Sequence, residues 1–130
     1  MTTDKNINKL VKRKRPRETT GSTSRIEVGC GHLYITVAGD NLGIIEVFAT
    51  LGKAGGCAMS QLEALTRSIS LGLRYGIPID EYVDELQYIR CPSPALDANE
   101  AIDKSTEITS CSDAIAKVLI KIQENKNKEG

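Results

Sequence analysis

At 130 residues the chain has the length of one domain and can bury a single core. Hydrophobic content of 40% and charged content of 26% are those of an ordinary globular protein, and 4% aromatic residues without tryptophan predict an aliphatic core. Basic and acidic residues number 17 each, so no overall field draws the chain to nucleic acid or to a membrane surface, and no apolar run approaches the roughly 20 residues of a membrane span.

Residues 1–24 are polar and basic, with Lys12-Arg13-Lys14-Arg15-Pro16-Arg17 at their centre. This composition reads as a disordered leader. The alternative is a phosphate-seeking arm, since a basic cluster binds polyanions without needing structure, although no aromatic residue lies among these charges to stack on bases. The leader lacks the apolar core of a secretory signal. The expectation is a cytoplasmic, intracellular protein whose cysteines are thiols, metal ligands or transient redox groups rather than structural disulfides.

The folded part is expected over residues 25–122, followed by a polar tail at 123–130. Ile26, Val28 and Cys30 alternate with polar neighbours, and Leu33, Ile35 and Val37 alternate again. The change of phase at Gly29-Cys30-Gly31 predicts a bulge or a turn between two short strands. Ala38 to Gly43 has the composition of a hairpin loop, returning the chain into a third strand at 44–50. Gly52-Lys53-Ala54-Gly55-Gly56 then turns the chain, because glycine supplies the positive φ values a reversal needs. Beyond Cys57, the residues Ala58, Leu62, Leu65, Ile69 and Leu73 form one face of a long helix ending near Gly76. Pro78 opens a second helix, PIDEYVDELQYI, with acids early where the dipole favours them. The prolines at 92 and 94 close it. Residues 95–109 lack strong periodicity and read as a surface loop. Ser110 or Ser112 can cap a last helix with Asp113 placed as in a capping box, and Cys111, Ile115, Val118, Leu119 and Ile122 line one face of it. The fold class expected is α+β, a small antiparallel sheet from about 25 to 50 packed against three α-helices.

The segments RPRETTGST, VGCGHLYITV, FATLGKAGGCAMSQLEALTRSISLGLRYG, IRCPSP and TSCSDAIAKVL, in that order, resemble the TSCPD domain. That domain lies near the C-terminus of adenosylcobalamin-dependent (class II) ribonucleotide reductases and also occurs as a short separate protein. The resemblance spans roughly residues 15 to 120. One position departs from it: the family's name motif is Thr-Ser-Cys-Pro-Asp, and here Thr109-Ser110-Cys111 is followed by Ser112-Asp113. The missing proline leaves the cysteine in place but loosens a helix start that proline would preorganise. The resemblance implies a domain otherwise attached to a nucleotide enzyme, and it defines no role for the domain itself. It does not bring the reductase activity, because the cobalamin barrel does not fit this length.

Two groups of residues are candidate sites. Cys30, Cys57, Cys91 and Cys111 can supply a four-sulfur zinc site. Their spacings of 27, 34 and 20 residues contain no C-x₂-C knuckle, but two of them sit in turns and two at helix starts, where the dipole lowers a thiol's pKa toward the thiolate a metal needs. Buried core thiols and a redox pair remain the alternatives. The second group is the glycine turn: free amides at the start of the long helix, with Lys53, Gly55 and Gly56, can hold an anion, and Arg67 and Arg74 on the same helix can extend that site. The Walker pattern is absent, and a plain strand-to-helix connection is the competing reading. His32 reads as a surface residue, since no triad forms around it. No catalytic residue is assigned.

The function expected is therefore a non-enzymatic module holding a nucleotide or another phosphate-bearing small molecule at the glycine turn. By analogy with phage-encoded sponge proteins, such a module would sequester a nucleotide signal. The alternative is a zinc-stabilised accessory or interaction domain working with a ribonucleotide reductase. Leu/Ile stripes on three helices over a small sheet lead us to expect a homo-oligomer.

Overall fold

The computed structural model describes residues 10–52, 56–92 and 107–129. Three strands, β1 (Thr20–Val28), β2 (Gly31–Asp40) and β3 (Gly43–Leu51), form an antiparallel meander in the order β1-β2-β3. Three helices follow, α1 (Gly56–Arg74), α2 (Ile79–Leu86) and α3 (Cys111–Glu129). The α+β class expected from the sequence is the class observed.

The phase change at Gly29–Gly31 is a turn: Val28 pairs with Gly31, and Gly31 has φ 137°, a conformation that favours glycine. β1 begins at Thr20 rather than at residue 25, because Thr20–Ser24 pair along β2 from Gly39 to Ile35. Those five residues are polar and mostly exposed, so no apolar alternation marked them as a strand. The second hairpin is tighter than its composition suggested. Only Asn41 and Leu42 form the turn, held by an Asp40 carboxylate oxygen that accepts the Leu42 N–H at 2.9 Å. Ile45 is the extra residue of a bulge opposite Ala38 and Gly39.

One sheet face carries Ile26, Val28, Leu33, Ile35, Val37, Val47 and Leu51 into the core. α3 packs there, touching β1 and β2, and α2 packs on α3. From Asp113 to Leu119 every residue of α3 is buried, so the helix is central where the apolar spacing predicted one buried face. It also continues to Glu129 through the residues expected as a tail.

α1 does not lie across the sheet but along its open edge. The Ser70 hydroxyl donates to the Val47 carbonyl at 3.0 Å and accepts the Val47 N–H at 2.9 Å, and Met59 Sδ accepts the Leu51 N–H at 3.1 Å. Edge-strand groups that would otherwise recruit another strand are thereby occupied.

Candidate functional site

Because α1 runs beside β3, the two elements form the walls of an open groove. It has two depressions, of about 630 Å³ and about 520 Å³. Phe48 and Arg67 line both, so the two are continuous. Alternation along β3 turns Phe48 to the outer face, opposite Thr36, and its ring is 44% exposed. The first depression is completed by Thr50, Gly56, Ser60 and Glu63, the second by Arg15, Glu46, Ser68 and Arg74. The arrangement offers an aromatic face for stacking, guanidinium groups for an anion, and hydroxyls for hydrogen bonds.

Of the residues expected at the glycine turn, Lys53 and Gly55 lie outside the described residues. Gly56 and Arg67 line the first depression and Arg67 and Arg74 the second, so the three are spread along the groove, with Gly56 and Arg74 at opposite ends of α1. Gly56 is the first residue of α1, whose first turn carries no acid, so no side-chain charge there opposes an anion. Arg67 lies 4.0 Å from Glu63 and is largely exposed. Arg74 has a second duty, its Nε donating to the Arg13 carbonyl at 3.4 Å.

That contact belongs to the basic segment expected as a leader, whose residues from 10 onward are described. The Arg13 N–H donates to the Arg74 carbonyl at 2.8 Å, its guanidinium pairs with Asp40, and Arg15 pairs with Glu46. Arg13 holds the Asp40 carboxyl below its usual pKa range, helped by the Leu42 N–H. Two of the cluster's positive charges are thus used within the domain.

The sequence reading missed Phe48, Glu46 and Arg15 as site residues. Phe48 is the only phenylalanine in the chain, and its place in an alternating strand opposite the core face was the available signal. Nothing local marked Glu46 and Arg15, whose pairing spans 31 positions.

Cys30 and Cys57 are exposed, while Cys91 and Cys111 are half-buried, so the buried-thiol alternative does not describe the first two. Cys30 sits in the β1–β2 turn and Cys111 opens α3. The Cys91 N–H donates to the Thr109 carbonyl at 2.9 Å, tying the chain after α2 to the chain before α3. Burial raises the Cys111 thiol's pKa, and the neighbouring Cys30 and Cys91 thiols raise it further. The expected lowering at a helix start is therefore overcome here. Among the described residues no group of three or more His, Cys, Asp or Glu side chains is placed to hold a metal ion. His32 is on the surface, its Nδ1 at 2.7 Å from the carboxylate of Glu27, its cross-strand partner. No helix among the described residues is long and apolar enough to cross a membrane.

Fold and groove together define a small α+β domain with an open, arginine-lined cleft beside an edge strand. The TSCPD domain profile matches residues 6–123, and the chain belongs to the TSCPD domain family. A vitamin B12-dependent ribonucleotide reductase of Bradyrhizobium diazoefficiens is 32% identical over 115 residues, 81% of this chain and 9% of that protein. The enzyme of the same description from Agrobacterium fabrum is 31% identical over 97 residues, 73% of this chain and 8% of its own length. A third, from Streptantibioticus cattleyicolor, is 31% identical over 83 residues. The chain thus spans less than a tenth of the length of the first two. No solved structure gives a significant match.

Proposed function

We propose that the domain is a binding module, without chemistry of its own, for a nucleotide or related phosphate-bearing small molecule held in the β3–α1 groove. The observation that carries this reading is the continuity of the groove through Phe48 and Arg67. An aromatic ring and a guanidinium at one place suit a ligand with a flat base and an anionic group. Capturing such a ligand without converting it would sequester a nucleotide signal. The exposed Leu42, Tyr75 and Ile77 around a third depression of about 440 Å³ support self-association as part of the same reading. Calorimetry against a panel of nucleotides tests the binding. Arg67→Ala and Phe48→Ala should each weaken it at least tenfold, and no binding to any member would refute the reading.

A second reading is favoured by the relatives and by the two cysteines, Cys30 and Cys91, that neighbour Cys111. In it the domain is an accessory or interaction module of a ribonucleotide reductase, stabilised by zinc on the cysteines. Elemental analysis separates the two readings: one tightly held zinc per chain supports the second, and protein without zinc that still binds a nucleotide supports the first.

A further inference from the structure

The second depression holds an unusual combination, a buried carboxylate among three guanidiniums. Glu46 faces outward from β3 opposite Ala38, yet is only 4% exposed. Arg15 covers it, with an Arg15 side chain that is itself 58% exposed at the rim. The segment bearing Arg15 is fastened to the end of α1 by the Arg13–Arg74 backbone hydrogen bond and to the β2–β3 hairpin by the Arg13–Asp40 ion pair. Arg15 is therefore a fixed part of the wall. The charges lining this depression are Arg15, Arg67 and Arg74 against Glu46, three positive and one negative, a net of two positive.

A buried carboxylate that loses its partner is strongly unfavourable. A ligand can share Arg15 with Glu46 but cannot take it away, which leaves the exposed Arg67, whose contact with Glu63 is long at 4.0 Å, and Arg74, whose Nε bonds only a neutral carbonyl, to neutralise an anion. A phosphate monoester brings about −1.5 to −2 charges near neutral pH and matches that supply. A triphosphate brings more and meets the Glu46 carboxylate as a like charge.

We infer that the Arg15–Glu46 pair sets the charge the groove accepts, making this a site for a nucleotide with one or two phosphate charges and not for a polyphosphate. The inference rests on the β3–α1 groove being the ligand site.

The test is calorimetry, in magnesium-free buffer, with the four common ribonucleoside monophosphates and the matching triphosphates. Wild type, Glu46→Gln and Arg15→Gln are compared, each checked for folding by its thermal melt. Wild type should favour monophosphate. Glu46→Gln releases Arg15 and should move the ratio toward triphosphate by about tenfold, roughly 1.4 kcal/mol. Arg15→Gln leaves the buried Glu46 carboxylate without its guanidinium partner, so its melt should come at lower temperature than wild type, and the folded variant should move the ratio the opposite way and weaken both ligands. Wild-type binding with equal affinity for the two classes, or with a ratio that neither folded variant moves, overturns the charge rule and leaves the groove as a ligand site. No binding to any of the eight compounds overturns both.

Discussion

Asp113 ties the chain after α2, the chain before α3 and α3 itself to one carboxylate. Its carboxylate is fully buried and accepts the backbone N–H groups of Tyr88 at 2.8 Å and Thr109 at 2.9 Å, with the Lys117 ammonium at 2.6 Å. Lys117 in turn lies over the Tyr88 ring, 4.7 Å from its centroid. Ser110 is the helix cap, its hydroxyl accepting the Asp113 N–H at 3.0 Å. The capping box expected from the sequence is thus half realised: the cap is present, and the acid turns back to Thr109 and Tyr88. Removing one partner of a buried pair strands the other, so Asp113→Ala should cost about 3–5 kcal/mol in denaturant unfolding. Burial raises the Asp113 pKa, but the Lys117 ammonium and the two backbone N–H groups outweigh it, and the carboxyl lies below its usual range. A lowered folded-state value stabilises the fold above the ordinary carboxylate range, and that stability is lost as pH falls through the lowered value. Stability measured from pH 6 down to pH 2 should fall less steeply in Asp113→Asn than in wild type.

At the scale of elements, two junctions decide where the chain stops being regular. α2 was expected to continue through Tyr88 and Ile89 on the strength of its apolar spacing. It ends at Leu86, with Gln87 extended and Tyr88 at φ 68°. The Tyr88 N–H has left the helix for Asp113, a tertiary contact across 25 positions that no local pattern contains. Val83 and Leu86, inside the real helix, are buried as the periodicity required, while Ile89 is 46% exposed. The strand cores of β2 and β3 were equally legible, because Leu33, Ile35 and Val37 alternate onto one face. Invisible in sequence were the polar start of β1 and the position of α1 along an edge. That position depends on Ser70, a residue that looked like any polar helix surface. Ser70→Ala leaves both Val47 backbone groups without their partner and should cost about 1–3 kcal/mol by thermal or denaturant unfolding. At the bulge, a Cβ on Gly39 would overlap the Gly43 carbonyl oxygen and the Ile44 Cα. Gly39→Ala should therefore destabilise by about 1–3 kcal/mol, and a variant as stable as wild type would show that the hairpin gives way freely.

For the molecule as a whole, one aliphatic core joins the sheet face to α3, and Ile115 and Leu119 at its centre are fully buried. Ile115→Ala should cost about 2–5 kcal/mol, read from the denaturant midpoint at unchanged slope. This core explains the site's location. α3 fills the inner face of the sheet, α1 is left to the β3 edge, and the seam between α1 and the outer face becomes the groove. The glycine turn marked one end of that seam in the sequence, and Arg67 and Arg74 marked its length. Phe48, Glu46 and Arg15 joined them only through strand alternation and a contact between distant segments. Amide chemical-shift mapping during titration with a nucleotide reads out whether this seam holds a phosphate-bearing small molecule. Shifts should concentrate along the groove, at Phe48, Ser60, Arg67, Ser68 and Arg74, and saturate together. Saturable shifts confined to another face, or none with any nucleotide, would contradict it.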